Sequence, residues 1–489
     1  MEHFDVCVIG AGPSGYASAM RAIDFGKRVL LVERARVGGA GIHNGALWSK
    51  TWWELSREAY QVRRNGVANN INAPKFAYEN ISDEVEKAVN DREEMLVHHM
   101  NNINTSFDDG AHLIFKRGEA SIKSEHEVVI QQNGSSESIQ ADYIILATGS
   151  RPRKLPHIPI DEEHIFTSDG LATLEAFPKS MVILGAGVIG CEFATIFSNF
   201  GHTKVYLIDK GDRILPFEDE DVVKIIEQNL EEKGVVIHRN SRLIDMKVEN
   251  DSVLYTLEYN DGRSEVFTVE KGLVSVGRVP NYEDLFDEQL KLEIDKRGIK
   301  DNDTQTNISN IYAVGDITAD ISLVNVGELE GRHAVEKIYG SPDPLIYENI
   351  STIMFLSPEI AGVGMNEIQA QEKGVDYRVV SLDYSCIPRA VAMRNTQGFI
   401  KLIVTDDDEM RVLGMRVVGE HASSAIQAAA LLISMNKGIK ALAELIHPHP
   451  SIIEGIQECC RALLGKSMLK PEVLKEAVTS RVYRGATFL

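Results

Sequence analysis

Three groups of residues in this 489-residue chain have types and spacings that could do chemistry. The first is Gly10-Ala11-Gly12-Pro13-Ser14-Gly15, followed 23 positions after Gly10 by Glu33. The second is Gly185-Ala186-Gly187-Val188-Ile189-Gly190, followed 24 positions after Gly185 by Asp209. The third is His449, in His447-Pro448-His449-Pro450, with Glu454 five residues on. A G-x-G-x-x-G turn lets a pyrophosphate approach the backbone, where a helix N-terminus offers free N–H groups and a positive dipole end. An acid at the end of the next strand accepts hydrogen bonds from ribose hydroxyls. Asp209 would bond the 2′-hydroxyl of NAD and repel the 2′-phosphate of NADP, and the single Lys210 beside it does not overturn that preference.

Those roles require particular elements around the glycines. Phe4-Asp5-Val6-Cys7-Val8-Ile9 is an apolar, β-branched run that reads as a buried parallel strand. A helical stretch from Tyr16 to Phe25 and a second run, Val29-Leu30-Leu31-Val32, complete a βαβ unit ending at Glu33. Met181-Val182-Ile183-Leu184, a helix to about Phe200, and Val205-Tyr206-Leu207-Ile208 repeat the pattern. Two copies of one supersecondary unit mean two nucleotide sites. Between the copies, residues 51 to about 101 have a helical pattern. Residues 111–145 alternate like strands, with a hairpin turn at Asn133-Gly134. Further apolar strands end at Ala147-Thr148-Gly149-Ser150, Val276-Gly277-Arg278 and Val314-Gly315-Asp316. From about 351 the character changes to mixed strands (398–404, 409–418) and helices (423–435, 438–446, 453–464), predicting a third, α+β domain.

Composition narrows the partners. The hydrophobic share of 44% and charged share of 25% are those of a globular protein. A net charge of -21 argues against nucleic acid or an anionic membrane as a partner. No run approaches the ~18 apolar residues of a membrane span. The start lacks a basic segment before an apolar run, so no secretory signal is expected. Five cysteines without framework spacing suggest a reducing, cytoplasmic compartment. No metal site is expected.

The order of motifs resembles the flavoprotein pyridine nucleotide–disulfide oxidoreductases over essentially the whole chain. It runs G-x-G-x-x-G, a Gly38-Gly39 segment ending in Ser49-Lys50, A-T-G-S-R-P, a second G-x-G-x-x-G, V-G-R-x-P-N, Y-A-V-G-D and a C-terminal His-Pro…Glu. Within that family it is most similar to the dihydrolipoamide dehydrogenases and the soluble pyridine nucleotide transhydrogenases. The resemblance implies an α/β fold with two Rossmann-like dinucleotide-binding domains and a C-terminal α+β dimerisation domain. It implies an FAD-binding domain in two parts, 1–152 and 275–350, an NAD-binding domain at 153–274 and dimerisation through 351–489. FAD would be held by Gly10, Gly12, Gly15, Glu33, Thr148, Gly149 and Asp316, and NAD by Gly185, Gly187, Gly190, Asp209 and Gly277. Lys50 would stand beside the flavin ring with Glu192 as its carboxylate partner. In a homodimer, His449 oriented by Glu454 would be the acid–base of the partner's active site. The alternative for His449 is a rigid His-Pro turn at a helix start, with Glu454 favourable in the first helical turn.

The sequence departs from the family at one decisive place. Disulfide-using members carry two cysteines after Gly-Gly, where this chain has Gly41 and Ala46. Neither can form a thiolate, and thiol–disulfide exchange needs one. Trp48 replaces the family's proline, and His43 and Gly331-Arg332 fit the transhydrogenase pattern. Cys7 and Cys191 fall in a strand and a helix and read as buried apolar residues. Cys459-Cys460 are consecutive, with Cα atoms ~3.8 Å apart, too close for an ordinary disulfide. The expectation is an FAD-dependent NAD(H) oxidoreductase passing electrons to a small non-disulfide acceptor: a second nicotinamide, a quinone, a dye or oxygen. One alternative is an enzyme oxidising a dithiol directly at the flavin through His449. Another is a non-catalytic flavin- and NADH-binding scaffold or sensor.

Overall fold

The computed structural model describes residues 1–69, 75–106, 112–318 and 320–485. Ala111, in the strand-like run, and residues 486–489 lie outside the described residues. The fold is α/β, and the chain divides into two compact units. One comprises Met1–Pro178, Asp245–Leu254 and Thr268–Leu345; the other comprises Lys179–Ile244, Tyr255–Phe267 and Ile346–Leu489.

The first unit is built on the glycine-rich βαβ. Strand β1 (Glu2–Ile9), helix α1 (Pro13–Asp24) and strand β2 (Arg28–Glu33) follow in order. Helices α2 (Ala46–Ala68) and α3 (Tyr78–Ser106) come next, then β3 (His112–Arg117), β4 (Glu119–Ser124), β5 (Glu127–Gln132) and β6 (Ser135–Leu146). The strands order as β3-β2-β1-β6-β5-β4, with Ile311–Ala313 also pairing to β6. β3, β2, β1 and the end of β6 run parallel, as does Ile311–Ala313. β4 and β5 add an antiparallel flap. The β5–β6 turn is Asn133-Gly134, both at positive φ, as a two-residue hairpin requires. Helix Val324–Tyr339 follows Ile311–Ala313 within this unit. Burying one face of the sheet creates a core of Phe4, Leu30, Ile122, Ile139 and Ile144 with their neighbours.

The second unit repeats the βαβ with β7 (Ser180–Leu184), α4 (Val188–Phe200) and β8 (Lys204–Ile208), and β9 (Val236–His238) extends the parallel ladder. Its C-terminal part is a six-stranded antiparallel sheet. The order is 351–354, 360–364, 412–418, 399–405, 377–383 and 478–483. Helix Ile453–Leu463 lies on this sheet, burying Ile456, Cys459 and Cys460 in its core. The helical stretch expected at 438–446 shortens to Lys440–Ala443, and Ile446 is fully exposed. No helix among the described residues is long and apolar enough to cross a membrane.

Candidate active site

Parallel pairing brings the carboxyl ends of neighbouring strands to one edge, the edge at which open α/β sheets bind ligands. Gly10 follows β1, Glu33 ends β2, Thr148 and Gly149 follow β6, and Asp316 follows Ile311–Ala313. The expected FAD residues of the first unit therefore share one edge of one sheet. Gly10 has φ +108°, and a Cβ on Gly15 would lie 1.8 Å from Gly10 O, so the turn admits glycine at both places. Pro13 opens α1, and no side chain caps that helix. Its first N–H groups therefore have no side-chain partner, and the space beside Gly12 is open. The same holds at Gly187, the uncapped start of α4. These cradles fit a bound pyrophosphate.

Both ribose acids are positioned alike. Glu33 Oε2 accepts from Ala11 N at 2.7 Å and Oε1 from Ala35 N at 2.8 Å. Asp209 Oδ2 accepts from Ala186 N and Oδ1 from Gly211 N, each at 2.9 Å. Each carboxylate has lone pairs left for a ribose hydroxyl. Gly277 lies just past Lys271–Val274 and belongs to the first unit, with open space beside it.

Asp316 is held by a chain of contacts that spacing did not reveal. Ser150 Oγ donates to Asp316 Oδ2 at 2.6 Å. Arg278 Nε donates to Ser150 Oγ at 2.8 Å, and its Nη1 donates to Asp169 Oδ1 at 2.8 Å. Thr148 Oγ1 donates to Asn281 O, and Asn281 Nδ2 returns a bond to Thr148 O. Ser150, Arg278 and Asn281 stood in the quoted motifs, but no local signal joined them to Asp316 or Thr148.

Lys50 lies on α2, with Nζ 3.3 Å from Ser49 Oγ. Glu192, on α4, is buried, and its Oε1 accepts from Phe355 N at 3.0 Å. The two belong to different units, so their pairing stays a proposal. His449 Nδ1 lies 2.8 Å from Glu454 Oε1, and Ser451 N donates to Glu454 Oε2 at 2.7 Å. The imidazole is 70% exposed. Burial alone would raise the Glu454 carboxyl; the bonds from His449 and Ser451 outweigh it and hold the group below its ordinary range.

The segment that lacks the cysteine pair forms the turn Gly39–Gly41 and the start of α2 at Ala46. His43 Nε2 donates to Val37 O at 2.7 Å, and its Nδ1 is buried without a partner. Trp48 packs on Trp52, which meets Tyr78 and Phe177. The five cysteines all lie outside this segment. Cys7, Cys191, Cys459 and Cys460 are buried and Cys386 is half-buried. Burial pushes Cys7 and Cys460 up to about 12, and raises the other three thiols as well. Among the described residues no group of three or more metal-ligating side chains is assembled.

A cavity of about 720 Å³ opens beside Gly12, Gly38 and Gly41, walled by α1, α3 and helix Val324–Tyr339. Pro13, Ile42, Leu47, Leu96 and Leu329 make much of its lining apolar, and Tyr16 and Arg332 also line it.

Comparison with known proteins agrees with this geometry. Residues 4–331 match the family described as pyridine nucleotide-disulphide oxidoreductase, and residues 350–460 match its dimerisation domain. A dihydrolipoyl dehydrogenase of Bacillus subtilis (strain 168) is 32% identical over 464 residues, covering 94% of this chain and 96% of that one. A leghemoglobin reductase of Glycine max is 28% identical, covering 94% of this chain and 88% of that one. Among solved structures, LpdA from Mycobacterium tuberculosis superposes with a TM-score of 0.84 at 26% identity, covering 95% of this chain and 100% of the other. The flavoprotein disulfide reductase RclA from Escherichia coli shares the fold, with a TM-score of 0.84 at 24% identity and the same coverage.

Proposed function

The chain belongs to the pyridine nucleotide-disulphide oxidoreductase family, and within it we propose an enzyme that moves electrons from NADH to a small non-disulfide acceptor. It is a flavin-dependent NAD(H) oxidoreductase with FAD and NAD(H) as its cofactors. The observation that carries the choice of acceptor is the thiol inventory. Gly41 and Ala46 provide no sulfur, and every cysteine present is raised by burial away from the thiolate form that exchange requires.

Gly10, Gly12, Gly15, Glu33, Thr148, Gly149 and Asp316 would hold FAD. Gly185, Gly187, Gly190, Asp209 and Gly277 would hold NAD. Bound FAD supplies the two-electron carrier between nicotinamide and acceptor. Lys50, with Glu192 as the carboxylate partner that the family resemblance implies, would stabilise negative charge developing on the flavin ring. The chain would work as a homodimer through the 350–460 region, in a reducing, cytoplasmic compartment. Acceptors under this reading are a second nicotinamide, a quinone, a dye or oxygen. The domains would divide as 1–152 with 275–350 for FAD, 153–274 for NAD and 351–489 for dimerisation.

The test is anaerobic mixing of FAD-loaded protein with NADH, followed by a separate assay with lipoamide. The expected result is bleaching of the flavin band without a long-wavelength thiolate–flavin band, and negligible lipoamide turnover. Rapid lipoamide reduction would overturn the reading and make His449→Gln the next variant to assay. A flavin left oxidised by NADH would favour a scaffold or sensor.

A further inference from the structure

The cavity beside Gly41 has one side chain suited to proton delivery. Tyr16 starts the second turn of α1, its N–H bonded to Gly12 O at 2.8 Å, and it lines the cavity. Its hydroxyl oxygen lies 2.5 Å from His99 Nδ1 on α3. His99 is exposed, so its imidazole is in contact with bulk water. Burial raises the Tyr16 hydroxyl, Arg92 opposing, so Tyr16 is a protonated donor at neutral pH. The other charged side chains on the cavity are Arg21 and Asp24 on α1, Arg92 on α3, and Glu328 and Arg332 on helix Val324–Tyr339. Arg21 is engaged by Asp24 and Glu336. Guanidinium and carboxylate groups do not donate protons readily near neutrality.

From this geometry we propose that Tyr16 and His99 form the proton route to an electron acceptor bound in the cavity, with Tyr16 as the catalytic donor and His99 as its link to solvent. The inference rests on the reading of a non-disulfide acceptor and narrows it. An acceptor reduced by hydride alone, such as a second nicotinamide, needs no proton donor. A carbonyl acceptor of the quinone class takes a hydride and a proton. The balance is NADH + H⁺ + quinone → NAD⁺ + hydroquinone. The Tyr16 O–H bond breaks as the acceptor O–H bond forms, His99 Nδ1–H returns a proton to Tyr16, and water reprotonates His99. The largely apolar walls suit a flat ring, and general acid catalysis of this kind contributes roughly 10²–10⁴-fold.

The experiment compares two acceptors with the FAD-loaded enzyme. Menadione takes two electrons with protons, whereas ferricyanide takes single electrons and no proton. Tyr16→Phe is expected to lower kcat/KM for menadione at least 10-fold and abolish its solvent deuterium isotope effect, leaving ferricyanide within 2-fold. His99→Gln is expected to lower menadione turnover with a changed pH profile. Equal slowing of both acceptors, or menadione unaffected, would overturn the proposal. A second readout does not depend on turnover. In enzyme carrying ¹³C-labelled histidine, menadione added to the oxidised protein is expected to shift the His99 resonance, and Tyr16→Phe to abolish the response. If wild type reduces ferricyanide but not menadione, the quinone part of the acceptor reading fails. An unmoved His99 resonance would show that menadione does not reach the Tyr16–His99 pair, and would overturn the proton route itself.

Discussion

The ring of Pro13 stands where a side chain at position 41 would go: a Cβ on Gly41 would lie 2.5 Å from Pro13 Cγ and 3.1 Å from Cδ. The first glycine-rich turn therefore packs against the segment in which the family resemblance would place a thiol. Position 41 carries no sulfur, and the Pro13 ring occupies the space its Cβ would need. Gly41→Cys should overpack this contact, at a cost of roughly 1–3 kcal/mol. Urea unfolding should show a lower midpoint for Gly41→Cys with unchanged slope, and little change for Ala46→Cys. An unshifted midpoint for Gly41→Cys would mean that the Pro13 ring yields freely.

The thiols should be nearly silent to alkylation in the folded protein. A thiol pushed up to about 12, as at Cys7 and Cys460, is ~10⁻⁴ thiolate at pH 8. Counting iodoacetamide adducts by mass, only Cys386 should react appreciably in the native state, and all five in denaturant. NADH–ferricyanide activity should survive the native treatment, and its loss would implicate Cys386 in electron transfer.

Asp209 should set the coenzyme preference. It is held by Ala186 N and Gly211 N and would offer its free lone pairs to the NAD ribose. A hydrogen bond to a charged group contributes about 1.5–3 kcal/mol, or roughly 10–100-fold in affinity. Asp209→Ser should raise KM for NADH by that order and lower KM for NADPH. Parallel changes for both coenzymes would remove the ribose role.

Lys401 is a buried cation of the second unit, 1% exposed, with Nζ 2.9 Å from Asp219, 2.6 Å from Asp221 and 3.0 Å from Glu367. Lys401→Met would leave Asp219 buried without its cation, while Glu367 keeps Arg481, a change that costs about 3–5 kcal/mol. Burial pulls the Lys401 ammonium down, but the three carboxylates outweigh it and raise the group above its ordinary 10.5. The raised value in the folded state fixes the sign: the contribution is complete below 10.5 and is lost as pH climbs through the folded value above it. Denaturation of wild type and Lys401→Met should therefore give a constant difference from pH 7 to 10 that narrows at higher pH. A difference that narrows below pH 9 would contradict it.

Asp161, His164 and Asp251 make a surface clasp with the same sign at lower pH. His164 lies 2.9 Å from Asp161 and 2.8 Å from Asp251. The bond to Asp251 first, and then that to Asp161, raises the imidazole above 6.5. Its stabilisation is complete below 6.5 and fades as pH rises through the folded value. The Tm gap between wild type and His164→Gln should be wider at pH 6 than at pH 9. A gap that widens with pH would reverse the assignment.

What the sequence determined by itself was local or repetitive. The apolar runs, the glycines between them and the acids that follow them lie within 30 residues of one another. They specify a βαβ unit because strand pattern, helix start and turn conformation are short-range constraints. The doubling of that unit, the Asn133-Gly134 hairpin, the family resemblance and the absence of sulfur at 41 and 46 were equally legible. Other contacts were decided only by tertiary structure. Asp316 is tied through Ser150 and Arg278 to Asp169, Tyr16 reaches His99, Pro13 closes over Gly41, and Lys401 gathers three carboxylates. Most of these partners are dozens to hundreds of positions apart. Nothing in one-dimensional spacing fixes which side chains meet until sheet register and helix packing set their directions.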